Sequence, residues 1–521
     1  MAYYKTAKPK ANIKKSAIIY PAVFILPALV MIACGIIFKV EAIVPYIMAY
    51  AFVAAIPGFF LISKDYGMAA LATSIVFVSG IGGYTVTDSM LRKSELIGDK
   101  AFLGAVSSAL EKFPALLDQK DLEAVKVLML EGRYDPETGY PTAGFKLTLG
   151  YEEALVYLKA DNQDEYASET VEGYFKSASS ETGIADYSDL ARFVNLEYVA
   201  INQPNTFLYY YYGIAPGYLS KFSDLSIFEN MKSLTDLVIF NTAATDFSPL
   251  GKLASLENLS VQYCKIEDAS VFGNLGALKN LNLTAAGLSD ISFASSLSGL
   301  TELYLPANEL TDIGALKNLA NLTDLVLNSN QIEDISPLGG KAQLANLYLS
   351  NNQIKDISAL SGLASLENVY LSGNRIEDGS PVFSSASLKY IDISENALTG
   401  VGGIEGCASL EVLFANDNQI ADLSPMAGLG NLTRFYANSN LIADLSPLKE
   451  IITLTEVSLA NNQITEIAAL GHLGNLTSVN LNENMIADFS PLDDLEAAGT
   501  SVSGRDNQLI EHTNDEEEIA D

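Results

Sequence analysis

Histidine is almost missing from this chain, which has two, His472 and His512, in 521 residues. General acid–base catalysis relies most often on a histidine set within reach of the proton it moves. His472 stands on the outer side of a repeat and His512 in an acidic terminal run, so neither has the neighbours of a catalytic base. No Ser-His-Asp grouping, phosphate-binding glycine loop or metal-spaced Cys/His set accompanies them, and the expectation is no catalytic residue, no metal and no cofactor. Cysteine is equally scarce, at three, too few for a disulfide framework. Cys34 lies in an apolar run. Cys264 and Cys407 are separated by more than six of the repeats described next, roughly 30 Å at a strand spacing of about 4.8 Å, too far to bridge. Both read as free buried thiols, and the redox compartment stays open. Basic residues are also short: 31 Lys and Arg face 63 Asp and Glu, for a formal net charge of −32. The first 100 residues hold ten basic and five acidic side chains, so the acidic excess belongs to the rest. Phosphate backbones are held by Lys and Arg, and no nucleic-acid partner is expected.

In place of these the chain has a period. Leucine recurs every 22 residues at Leu234, Leu256, Leu278, Leu300, Leu322, Leu344, Leu366, Leu388, Leu410, Leu432, Leu454 and Leu476. A fixed period of this length marks a solenoid, in which each turn buries its apolar side against its neighbours. Further apolar residues stand three and five places after the first, as at Leu325 and Leu327. That alternation is a short strand with one buried face. Stacked at about 4.8 Å per step, twelve such strands make a parallel sheet roughly 55–60 Å long.

Eight places after the leading leucine runs a column of Asn308, Asn330, Asn352, Asn374, Asn396, Asn418, Asn440, Asn462 and Asn484. The chain must bend there, buried backbone groups at a corner need partners, and a carboxamide both donates and accepts. The column reads as a structural ladder. The first three turns carry Thr242, Cys264 and Ala286 instead, a degenerate leading end. An apolar residue and an acid follow, then often Ser-Pro, as at Ser336-Pro337 and Ser446-Pro447. Serine as N-cap with proline at the first helical position predicts a short outer helical turn. Strand, asparagine corner and capped outer turn together resemble the leucine-rich repeat family. The 22-residue length and the Asn-x-Ile-x-Asp-Ile-x-Pro-Leu pattern are most similar to its internalin-like, bacterial class. The resemblance implies an α/β solenoid with its parallel sheet on a concave face, and a non-enzymatic binding protein. Typical internalins carry a Leu-Pro-x-Thr-Gly wall-sorting signal; none is present here, so attachment is expected at the N-terminal end.

Residues 1–15 hold five lysines and no acid and read as a cytoplasmic basic tail. Three uncharged runs follow at 16–38, 42–62 and 67–86, long enough to span a bilayer as helices. The third, rich in glycine, also fits a buried core helix. Lysines beside the first span stay cytoplasmic, so three crossings put everything after about Thr87 outside a multi-pass cell-surface protein, by resemblance a Gram-positive bacterial one. Two crossings leave it inside, and Arg92 and Lys93 pull that way. Val30-Met31-Ile32-Ala33-Cys34 also resembles a lipoprotein box, though Met31 replaces the usual leucine and no polar linker follows. Residues 87–195 show helical spacing over 101–132 and again over 150–179, predicting a helical cap. Repeats occupy 196–510, regular over 234–497, with an irregular first turn at YSDLARFVNLEYVAINQ and a thirteenth, slipped by one residue, ending near Asn507. Tyr209–Tyr212 read either as a ligand platform or as a strand at the cap junction. The tail 511–521 is strongly acidic and reads as disordered.

The acids twelve places into each turn, such as Asp312, Asp334 and Asp356, suit either calcium or acceptance of backbone hydrogen bonds ahead of the outer turn; the second is the commoner use. Recognition has the better case. Strand residues two, four and six places after the leading leucine face outward, and the fourth-place column includes Tyr304, Tyr348, Tyr370, Asp392, Phe414 and Tyr436, with Tyr390 two places before Asp392 and Arg434 two before Tyr436. Exposed aromatics in one stripe suit a protein-binding surface; their liking for strands and cross-strand neighbours is the simpler alternative. These eight residues are the candidate site for a protein or peptide ligand, with the membrane engaged through the N-terminal helices. The rival function is an intracellular leucine-rich scaffold or regulatory subunit held at the membrane.

Overall fold

A computed structural model describes residues 97, 99–112, 117–134, 141–151, 175–180, 184, 186–202 and 222–507. The three apolar runs, the basic segment before them, Cys34, Tyr209–Tyr212 and the acidic tail lie outside these. Among the described residues no helix is long and apolar enough to cross a membrane.

The repeats form the spine. After β4 (Tyr198–Ile201) come β5 (Asp236–Phe240), β6 (Asn258–Gln262), β7 (Asn280–Asn282), β8 (Glu302–Tyr304), β9 (Asp324–Val326), β10 (Asn346–Tyr348), β11 (Asn368–Tyr370), β12 (Tyr390–Asp392), β13 (Val412–Phe414), β14 (Arg434–Tyr436), β15 (Glu456–Ser458), β16 (Ser478–Asn480) and β17 (Ser501–Ser503). Each pairs in parallel with the next, and from β5 to β16 the partner is the residue 22 positions on, as in Leu325 against Leu347. All twelve leading leucines are at most 4% exposed. The solenoid expected from the period is therefore present, with its apolar side shut between turns. Asn202 in the irregular first turn, and β17 in the slipped last one, extend it at both ends: Val502 sits against Val479, and the Asn484 N–H donates to Asn507 Oδ1 at 3.1 Å.

The asparagine column is a ladder in the literal sense. Asn352 Nδ2 donates to its own turn at Leu349 O (2.9 Å) and to the previous turn at Leu327 O (3.0 Å), while Oδ1 accepts the Ile332 N–H at 3.1 Å. The same set recurs at Asn330, Asn440 and Asn462. The residue just before each asparagine is in the left-handed region, including Ala307 (φ 55), Ser329 (φ 57) and Asn461 (φ 55). Non-glycine residues adopt this conformation at a cost of order 1–2 kcal/mol, and here the amide bonds on either side hold it.

On the opposite side of each turn the chain makes a short 3₁₀ segment, and here the expected serine cap is corrected. Ser336, Ser424, Ser446 and Ser490 are the first residues of their segments, not flanking caps, and no side chain caps the preceding position. The aspartate two places earlier does that work: Asp334 Oδ1 accepts the Ser336 N–H at 2.7 Å, and Asp444 that of Ser446 at 2.8 Å. A carboxylate reaches over a single tight turn to its first free N–H. The acid column thus has the backbone role. Cys264 and Cys407 are free and buried, their thiols pushed up in pKa by that burial, Cys407 to about 12.

The cap is not the helical one expected. Helix α1 (Lys100–Ala109) and the short α2 (Gln119–Glu123) precede β1 (Val127–Tyr134), β2 (Pro141–Gly150) and β3 (Phe175–Ser180). β1–β2 and β2–β3 are antiparallel, and β1 pairs in parallel with β4. The cap therefore continues the sheet past the first repeat, leaving no bare edge at β4. The helical reading failed because Val127, Leu128 and Leu130 are all fully buried, so β1 lacks the alternation that marks a strand buried on one face.

Two positions of one core column are polar and buried, Lys341 and Ser385. Lys341 occupies the place that Leu297, Leu319 and Leu363 fill in other turns. It is 2% exposed and donates from Nζ to Leu316 O (2.7 Å) and Leu319 O (3.0 Å). Burial pushes its pKa below the ordinary 10.5. The unfolded chain thus binds this proton more tightly, and the residue's contribution to stability rises as pH climbs from the depressed pKa toward 10.5.

Two outcomes are expected. Asn352→Leu lowers the urea midpoint, with roughly 1–3 kcal/mol lost per buried backbone group left unpaired, while the exposed Glu333→Ala leaves it unchanged. Lys341→Leu raises the thermal midpoint at neutral pH and narrows its lead over wild type as the solution becomes alkaline, read by circular dichroism across a pH series.

Candidate binding surface

On the three-residue strands from β7 to β12, and on β15, the central residue is buried and the flanking two are half-exposed, as in Asp324, Leu325 and Val326. The second- and fourth-place columns therefore tile one solvent-facing surface. In-register parallel pairing puts like columns side by side, so side chains one repeat apart meet directly: Tyr348 lies opposite Tyr370, and Phe414 opposite Tyr436.

Five rings join into one row. Tyr348 and Tyr370 stack at 4.4 Å between centroids with 8° between planes, and Phe414 and Tyr436 do the same at 4.4 Å and 7°. Asp392 interrupts the fourth-place column between the two pairs, and Tyr390 closes the break from the second-place column. Its ring centroid is 4.7 Å from Tyr370 and 5.6 Å from Phe414, tilted 32° and 41°. Asp392 Oδ1 accepts the Ser394 N–H at 3.0 Å. Because the rings stack face to face, their edges and hydroxyls form the solvent-facing side of the row.

Burial, followed by the neighbouring Tyr370 and Asp392, pushes the Tyr390 phenol up to about 12, and Arg434 opposes this. Burial also raises Tyr370, with Tyr348 adding to it, and raises Tyr436, whose hydroxyl donates to Glu456. These hydroxyls stay protonated through the neutral range. Arg434 is exposed and pairs in register with Glu456 on the next strand.

Tyr304 belongs to the same column but not to the row. Val326 separates it from Tyr348, and its hydroxyl donates to Glu302 Oε2 at 3.1 Å. On its other side lies a cavity of about 300 Å³ over β4 to β8, whose lining includes Asp236, Asn258, Ser260, Asn280, Asn282 and Glu302. The sequence reading passed over this groove because it is made by shortness: Val238 and Ser260 stand where tyrosines stand farther along. A run of Asp, Asn, Asn and Glu in the second-place column beside small fourth-place residues was the available signal. The asparagine candidates lie at the corner, buried except for the half-buried Asn374 and Asn396, apart from this surface. Among the described residues no His, Cys, Asp or Glu grouping is set to hold a metal.

A family model for leucine-rich repeats in two copies matches residues 298–340, 343–382 and 452–494. An internalin from Listeria monocytogenes superimposes with a TM-score of 0.58 at 25% identity, over 74% of this chain and 96% of that one. The chain is an internalin-like leucine-rich repeat protein. A leucine-rich repeat protein of Leptospira interrogans shares the fold at a TM-score of 0.54 and 21% identity, over 61% of this chain and 80% of that one. No curated protein sequence matches this internalin-like chain.

Proposed function

We propose that this internalin-like protein is a non-enzymatic recognition protein that grips a protein or peptide on the solvent-facing side of its sheet. The observation that carries the reading is the unbroken row of five rings across β10 to β14. A contiguous aromatic strip at a solvent-facing surface is the composition that concentrates binding energy at protein interfaces. Arg434 and Asp392 supply charged contacts within it, and Tyr304 extends it toward the groove over β4 to β8. The three uncharged N-terminal runs support anchoring in a bacterial membrane, with the repeats outside and the lysine-rich start inside.

Replacing Tyr348, Tyr370 and Tyr436 together by alanine is expected to abolish capture of the protein partner while cooperative melting persists; capture at wild-type level overturns the site. Protease added to intact cells is expected to digest the repeats. Full protection assigns them to the cytoplasm and favours a membrane-held scaffold.

A further inference from the structure

The geometry points to the gap over Val326 as a receptacle for one arginine side chain of the protein partner. The inference rests on the sheet face being the binding surface, and it names the chemistry that part of the face selects.

At Val326 the fourth-place column lacks one ring between Tyr304 and Tyr348. Where every strand carries an aromatic, rings on adjacent strands sit 4.4 Å apart. Tyr304 and Tyr348 are on β8 and β10 with Val326 of β9 between them, two strand steps of about 4.8 Å apart. Among the described residues no ring fills the space between them. A flat group at van der Waals separation of about 3.5–4 Å from each wall fills such a slot. The Tyr348 face away from the slot is covered by Tyr370, so the face turned to Val326 is the one left to a ligand. Val326, half-buried, is an apolar floor.

The charge beside the slot is negative, from two carboxylates in the second-place column. Glu302 and Asp324 are paired in register on β8 and β9, where like charges directly opposite one another are unfavourable. Asp324 accepts from Asn346 Nδ2 (2.6 Å) and Thr323 Oγ1 (2.7 Å), and Glu302 from the Tyr304 hydroxyl. All three donors are neutral, and neither carboxylate forms an ion pair among the described residues. Burial first, then Glu302, Asp324 and Tyr348, raise the Tyr304 pKa. The far end of the aromatic row differs: Tyr436 and Glu456 already have Arg434 as a neighbour. Against an ammonium, a guanidinium is planar, more weakly hydrated, stacks on ring faces and bonds carboxylates with two N–H groups.

The test is a random-peptide display selection on the full-length chain held in detergent, run with wild type, Val326→Tyr, Asp324→Asn and the Tyr348/Tyr370/Tyr436 triple alanine variant. Wild type is expected to select peptides in which Arg→Ala weakens binding about tenfold or more and Arg→Lys by less. Val326→Tyr completes the stack, melts at or above wild type, and binds the same peptides with their arginine dependence reduced to about twofold or less. Asp324→Asn keeps its neutral partners, lowers the arginine dependence as well, and serves if the tyrosine variant does not fold. Peptides selected with no arginine dependence, or an undiminished dependence in the folded Val326→Tyr or Asp324→Asn protein, overturn the slot alone. Equal capture by the triple variant, or no peptide selected by wild type, overturns the binding face and the slot with it.

Discussion

A single carboxamide per turn answers three backbone groups: a carbonyl of its own turn, a carbonyl of the turn before, and an N–H of that same earlier turn. The rest of the solenoid depends on this. The corner next to it is left-handed at non-glycine residues, so the backbone bends there against its own preference and is held by bonds reaching across turns. Because each amide ties two coils, neighbouring strands cannot slide relative to one another. The one-residue slip at β17 is absorbed beyond the last regular turn, where Asn507 takes over the amide's task for Asn484.

That fixed register is what converts a sequence column into a surface. Aromatic rings one repeat apart, Tyr348 with Tyr370 and Phe414 with Tyr436, stack within 8° of parallel because their backbones are superimposable by a single step. The two places where the row departs from regularity are also its chemically distinct points. At Asp392 a carboxylate enters the fourth-place column and a tyrosine from the neighbouring column tilts to restore continuity. At Val326 no ring substitutes. Regular repetition supplies the scaffold, and the exceptions supply the selectivity.

The spine was legible because its cause is periodic: every leading leucine faces the same neighbours, so each burial repeats the last. The aromatic row was legible for the same reason. The cap was not, since Val127, Leu128 and Leu130 are buried on both faces of β1 and a short apolar run without alternation suits helix or strand equally. Serine was read as the N-cap alongside an aspartate bonding the backbone ahead of the turn, because both residue types favour that position, and only the 3₁₀ geometry shows that the aspartate reaches the first N–H. Lys341 was invisible because its two carbonyl partners lie in a different turn. The groove over β4 to β8 escaped because it is defined by side chains that are small.

Neighbours on this surface are one strand step apart in space yet 22 residues apart along the chain. The repeat therefore acts as a ruler. Gaining or losing one whole turn between β8 and β10 would move the polar groove and the aromatic row relative to each other by a single graduation, about 4.8 Å, while leaving each intact. Such a protein can be re-spaced for a new ligand by duplication alone, before any contact residue mutates.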